Sequence, residues 1–279
     1  MPENPKHRLA AALDRPGRRR FLRPLATLYA SARNRRLVRV ADDADLWVHH
    51  HRAGKLVFRS IYTISPRQLD EIARDAFFYT YTPKRGDVAI DVGAGVGTET
   101  LTLSRLVSDT GRVIAIEAHP ETHRCLAKLC ELNALDNVSP KQLAIMDKSG
   151  PVTLSDAEAD ISNTVMRKAG GAINVPGVSL DELVATEGLR RIDFLKMNIE
   201  GAEALAFEGM RRTLEMTENI AISCHDFIAD ARGDESMRTK ATVRKALRAH
   251  GFTVTERKTD VRPWVRDTLY GKRTSASTS

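Results

Sequence analysis

The sequence predicts an α/β fold: a doubly wound, mostly parallel sheet, preceded by a basic N-terminal helical arm and a β-hairpin. Three observations carry this. Val88 to Val92 is a short, apolar, largely β-branched run of the kind buried in a parallel sheet. A glycine turn follows, Gly93-Ala94-Gly95-Val96-Gly97, and then a helical stretch from Thr98 to Leu106. A second strand, Arg112 to Ile116, ends in Glu117, 20 residues after the last of those glycines.

Glycines let a chain turn sharply and let its backbone approach a ligand where a Cβ would intrude. The helix N-terminus would face the same ligand, and an acid at Glu117 is placed to accept hydrogen bonds from ribose hydroxyls. Strand, turn, helix, strand and acid describe a nucleoside-binding half. A dinucleotide fingerprint needs G-x-G-x-x-G, whereas Thr98 stands here where the third glycine would be. The strand also brings its own acid, Asp91.

The elements follow in order. Residues 1–40 form a basic arm with 11 Lys or Arg against 2 acids, a net of +9. The remainder, with 32 basic and 34 acidic residues, carries −2. Phe21, Leu22, Leu25, Leu28, Tyr29 and Ala32 recur at helical spacing among the arginines. Such a basic amphipathic helix suits an anionic membrane or a nucleic acid. The favoured expectation is that its apolar stripe docks on the body and its arginines are solvated. Residues 41–82 are an extension. Leu46 to His51 and Leu56 to Ile61 read as a hairpin, and Pro66 to Tyr79 as a helix with Ser65 at its N-cap. His49, His50 and His51 alternate faces of a strand, so they cannot all converge on one metal.

Residues 83–273 form the main domain. After Glu117, Glu121 to Leu132 reads as a helix and Val138 to Ala144 as the third strand. Val152 to Leu154, Thr164 to Met166 and Ile173 to Val178 read as strand-like pieces of a β-rich insertion at the sheet edge. Val178 to Val184 leads into a helix, and Asp193 to Asn198 is the fourth strand. Ala202 to Leu214 is a helix, and Asn219 to Cys224 is a strand ending at His225. Ser236 to His250 is a helix, and Phe252 to Glu256 and Thr268 to Lys272 are the last strands. Residues 274–279 read as a disordered polar tail.

Composition narrows the classes. No apolar run approaches the roughly 18 residues of a membrane span, and no signal peptide is read at the N-terminus. Cys125, Cys130 and Cys224 are an odd number without zinc spacing, which points to buried reduced thiols and a cytoplasmic protein, with peripheral membrane contact through residues 1–40 as the alternative.

These residues carry a resemblance. The chain resembles the FkbM family of S-adenosylmethionine (SAM)-dependent methyltransferases over roughly residues 86–225. The matching pieces are Ile90 to Thr98, Ala115-Ile116-Glu117-Ala118-His119-Pro120, Asn133 with Asn137-Val138, Ser179-Leu180-Asp181-Glu182-Leu183, and Phe194 to Glu203. Most specific is the Lys-x-x-x-Glu-Gly-x-Glu block from Lys196 to Glu203. The resemblance implies a class I, Rossmann-like SAM-dependent methyltransferase that methylates a hydroxyl oxygen of a small molecule, sugar or glycolipid. It implies SAM binding by Asp91, Gly93, Ala94, Gly95, Gly97, Thr98, Glu117, Ala118, Ala144 and Asn198. The family commonly has Asn where this chain has Gly95, and Asp where it has Asn198. An amide carries no charge and makes a poor magnesium ligand, so no metal site and no metal-assisted route are expected.

Ligands of doubly wound sheets bind outside the carboxyl ends of the strands. His225 is there, and its ordinary pKa of about 6.5 makes it the best candidate base. Asp226 would orient it or bind a substrate hydroxyl. Lys196, Asn198 and Glu200 would form the pocket floor, and Lys196 would complete the catalytic set with His225 and Asp226. Bland readings stand beside these. His225 could bond a neighbouring loop, Lys196 could pair with Glu200, and Glu200 and Glu203 could offset a helix dipole. Two rival functions stand beside this one. One is an RNA methyltransferase recruited by the arm, which lacks support from any base-flipping motif or aromatic-rich basic face. The other is a membrane-associated SAM-binding protein with impaired catalysis, for which Asn198 speaks. The sequence leaves the acceptor and the oligomeric state open.

Overall fold

The computed structural model describes residue 14, residues 18–156 and residues 171–274. Helix α1 (Arg19–Asn34) leads into an antiparallel meander of β1 (Arg39–Asp43), β2 (Leu46–His51) and β3 (Gly54–Phe58). Then come α2 (Pro66–Ala76), β4 (Val88–Val92), α3 (Thr100–Val107), β5 (Arg112–Ile116), α4 (Pro120–Asn133) and β6 (Val138–Lys141). A separate three-stranded sheet holds β7 (Ala144–Met146), β8 (Gly150–Asp156) and β9 (Gly171–Ser179). The chain continues through α5 (Leu180–Thr186), β10 (Ile192–Met197), α6 (Glu203–Glu208), α7 (Arg211–Glu215) and β11 (Thr217–Ser223). It ends with α8 (Asp226–Arg232), α9 (Lys240–Ala249), β12 (Phe252–Glu256), α10 (Pro263–Arg266) and β13 (Thr268–Arg273).

The main sheet has seven strands in the order β12-β13-β11-β10-β4-β5-β6. Five strands, from β11 to the edge strand β6, run parallel, and β13 lies antiparallel between β11 and β12. Alternation along each strand sends side chains to two cores. Ile90, Val92, Leu195 and Met197 pack with residues of α5, α6, α7 and α9. Ala89, Val113 and Phe194 pack the other way, with residues of α2 and α3. Helices on both faces make the sheet doubly wound, as the alternation of strands and helices implies.

Strands β4 and β5 fall where the sequence puts them, and Ser65 caps α2. The Ser65 hydroxyl accepts from the Gln68 N–H at 3.3 Å, and the Gln68 side chain accepts from the Ser65 N–H at 3.0 Å. All three cysteines are buried, and none of them forms a disulfide with another described residue. Several expectations are corrected. The third strand stops at Lys141, and Ala144–Met146 leaves it to pair in parallel with β9. Pro140 has no N–H to donate, which suits an edge strand. The expected helix over 202–214 is two helices. Gly209 separates them, packed so close to the Met146 carbonyl oxygen that a Cβ would lie 2.4 Å from it. The helix expected from Ser236 starts at Lys240, where Asp226 accepts from the N–H groups of Thr239 and Lys240 at 2.9 and 3.0 Å. The insertion pairs as β8 and β9, and the piece expected at Thr164 to Met166 lies outside the described residues, as does the tail over residues 275–279.

The arm is corrected most. β1 crosses residue 40, where charge alone would end the arm, and Ala26 and Ala30 of α1 share one small core with Val38, Val40 and Trp47. The helix therefore docks, but by its alanine face. Phe21, Leu25, Leu28 and Tyr29, expected to dock, are exposed at 64%, 63%, 69% and 56%. Bulky side chains would hold a helix off the meander, whereas alanines let it lie close. Among the described residues, no helix is long and apolar enough to cross a membrane.

Candidate active site

Parallel register brings the site together. Lys196 on β10 lies opposite Asp91 on β4 and Ala221 on β11. All of the Lys196 side chain is buried. Its ammonium contacts Asp91 Oδ1 at 2.9 Å and Glu99 Oε2 at 3.4 Å, and donates to the Gly93 carbonyl at 2.7 Å. Burial by itself would lower the Lys196 pKa. The neighbouring Asp91 and Glu99 charges more than offset this, so the group stays above its ordinary value and charged. The second Asp91 oxygen accepts from the Thr100 hydroxyl at 2.7 Å. Asp91 and Lys196 thus tie the start of the glycine turn to α3 and β10.

The turn itself is shaped by two different demands. Gly93 has φ +72, and a Cβ there would sit 2.0 Å from the Asn198 carbonyl oxygen. Gly95 has φ +58, and a Cβ there would meet nothing within 4 Å. The space beside Gly95 belongs to a cavity of about 300 Å³. Glu117 Oε2 accepts from the Gly95 N–H at 2.9 Å, and Oε1 accepts from the His119 N–H at 2.9 Å. Burial raises the Glu117 carboxyl above the ordinary range, and the two N–H groups oppose that rise.

Of the residues expected to hold a nucleoside cofactor, Gly93, Gly95, Thr98, Glu117, Ala118, Ala144 and Asn198 line the cavity. Asp91, Ala94 and Gly97 do not. Asp91 and Ala94 are fully buried, and a Cβ on Gly97 would press on Leu126 and Leu129. Asn198 Oδ1 is buried without a hydrogen-bond partner, an acceptor left for a ligand donor. Among the described residues, the charged members of the lining are Glu99, Glu117 and Glu200, without a Lys or Arg. An acidic, partly apolar cavity with a carboxylate anchored on backbone N–H groups suits a nucleoside carrying a positive sulfonium.

None of His225, Asp226 and Lys196, the expected catalytic set, lines the cavity. Asp226 caps α9. The buried His225 ring holds Glu203 Oε1 at 2.9 Å through Nδ1 and lies 3.8 Å from Glu200 Oε1 through Nε2. Burial works against its charge, but the bond and charge of Glu203, with Glu200 beyond, win and raise its pKa. Glu203 also accepts from the Thr239 hydroxyl at 2.9 Å. Glu200 does line the cavity, with φ +55 on a non-glycine residue. Sequence reasoning missed Glu99, Leu69, Ile72 and Leu154 as lining residues. Glu99 follows the glycine turn without a motif of its own. The others come from α2 and β8, whose apolar residues look in sequence like any core face.

The sheet order is that of the class I SAM-dependent methyltransferase fold. Residues 91–254 match the methyltransferase FkbM domain, more than half of the chain, and the chain belongs to the FkbM methyltransferase family. The FkbM methyltransferase structure from Methylobacillus flagellatus KT superposes with a TM-score of 0.50 at 16% identity, covering 75% of this chain and 51% of that one. The hexuronic acid methyltransferase AglP of Haloferax volcanii is 24% identical over 139 residues, 50% of this chain and 56% of AglP. The chain thus spans little more than half the length of these two relatives. An O-methyltransferase from Bacillus cereus, solved in complex with SAH, shows a TM-score of 0.45 at 15% identity, covering 75% of this chain and 82% of that one.

Proposed function

We propose that the chain transfers the methyl group of SAM to a hydroxyl oxygen of a sugar, and that Glu200 receives the hydroxyl proton. The observation that carries this reading is the row Glu200, His225, Glu203. Its first member lines the cavity, and the other two are buried behind it. SAM, when bound, supplies a methyl on a positively charged sulfur. Gly95 and Glu117 would hold its nucleoside, Asn198 would accept from one of its donors, and Glu200 would orient the acceptor oxygen for in-line attack. The raised pKa of His225 favours its charged form, and a positive ring 3.8 Å away favours the ionised form of the Glu200 carboxylate. Glu203 holds the ring in place, so His225 is a positioning residue in this reading.

AglP supports the sugar class through its described activity on a hexuronic acid. The acidic lining supports a neutral sugar, since a uronate carboxylate would meet Glu99, Glu117 and Glu200 with no cation among the described lining residues. The test is turnover with SAM on a panel of neutral sugars and hexuronic acids, read as SAH release and a mass gain of one methyl. Neutral sugars are expected to react. No turnover on any sugar would overturn the class, and a preference for uronates would overturn the neutral acceptor. Glu200→Gln is expected to lose about 10²–10⁴-fold in kcat with SAM affinity unchanged.

A further inference from the structure

We infer that helix α1 is a docking surface for an anionic lipid bilayer, lying in the plane of the headgroups. Phe21, Leu25, Leu28 and Tyr29 follow one another at helical spacing and are all exposed, and Leu37, just past the helix, is 84% exposed. These are not the leftovers of a helix without a seat. The opposite face, with Arg19, Ala26 and Ala30, is buried, and Ala26 and Ala30 pack with Trp47, Val38 and Val40. The helix therefore presents a second apolar face after its first has been satisfied.

Charge selects the occupant. Helix α1 contains no Asp or Glu. Arg19 is held by Asp14 and the Trp47 ring, and Arg23 by Asp42. Arg18, Arg20, Arg33, Arg35 and Arg36 are exposed. At about 3.6 residues per turn, Arg20 and Arg33 fall on opposite flanks of the apolar stripe. Long arginines on both borders of a bulky apolar face let the face sink into acyl chains while the guanidiniums reach lipid phosphates. A second copy of the chain would set arginine against arginine with no acid in the helix to answer them. A nucleic acid would meet the arginines, but its phosphates have no use for a central stripe of Phe, Leu and Tyr.

The test is co-sedimentation of the full chain with vesicles of phosphatidylcholine alone and of phosphatidylcholine mixed with phosphatidylglycerol. Binding to the mixed vesicles is expected to be at least about tenfold tighter and to weaken as salt is raised. The double variant Leu25→Glu, Leu28→Glu changes only exposed positions. It is expected to lose vesicle binding with SAM affinity by calorimetry unchanged, which shows that it is folded. The double variant Arg20→Gln, Arg33→Gln is expected to bind more weakly and with a shallower salt dependence. Equal binding to both vesicle types, or unchanged binding by the Glu variant, would overturn the inference. So would a dimer in solution that Leu28→Glu dissociates without any vesicle binding. Binding that appears only after residues 1–13 are deleted would give the stripe to this chain's own N-terminal segment, and an RNA oligonucleotide bound in preference to vesicles would give it to nucleic acid.

Discussion

Gly93 and Gly95 share one turn, yet substitution should separate them. Alanine at residue 93 would drive its Cβ into the Asn198 carbonyl, a backbone atom that cannot rotate away. Gly93→Ala is expected to fail to fold or to melt far below the parent in a thermal scan. Gly95→Ala meets open space and carries only the left-handed strain of roughly 1–2 kcal/mol. It is expected to stay folded, so calorimetry can read its effect on SAM binding. Glu117→Ala is expected to weaken SAM binding by about 1–3 kcal/mol, the scale for losing a hydrogen bond to a charged group. Unchanged affinity in the folded variant would remove Glu117 from the ribose. Much of this was legible in the sequence, because the glycines, Glu117 and Asn198 stand in a local pattern. Lys196 was not, because its fixed partners, Asp91 and Glu99, lie about a hundred residues away and meet it only through strand register.

Elements divide by where their signals come from. Helix α2 announces itself through Ser65, Pro66 and Gln68, and the structure shows the capping box closed. Ser65→Ala is expected to cost about 1 kcal/mol in a denaturant titration without changing the slope. Strand β1 went unread, since Arg39 to Asp43 looks like the tail of a charged arm until β2 pairs with it. The break at Gly209 was hidden for a similar reason: what forbids a side chain there is the Met146 carbonyl, from another element. Trp47 joins α1 to the meander. Trp47→Ala is expected to destabilise by about 3–5 kcal/mol. Hydrogen exchange should rise in α1 and β1 more than in β4 and β5, and a uniform rise over the whole sheet would argue against a separate local core.

For the whole molecule, the sequence conveyed the class of sheet but not its strand order, since the antiparallel insertion of β13 between β11 and β12 depends on long-range pairing. His225 is buried against Glu203, and this has a global readout. A histidine whose folded pKa is raised stabilises the fold fully below its unfolded value of about 6.5, and that contribution fades as pH climbs through the folded value. Urea unfolding of the parent is expected to show stability falling from the ordinary histidine range upward, and His225→Gln to flatten this part of the profile. The same substitution should shift the acid limb of the rate profile to higher pH, because a carboxylate that loses a neighbouring positive charge is easier to protonate. An unmoved limb would detach His225 from Glu200.

The left-handed backbone at Glu200 sets fitness against robustness. A glycine would relax that residue, so Glu200→Gly is expected to raise the melting temperature, by relief of roughly 1–2 kcal/mol, while it abolishes turnover. With Glu200 as the proposed base, laboratory selection for heat tolerance alone would drift toward discarding this carboxylate, and a search for hardier variants would need to screen for the proposed methyl transfer at every round.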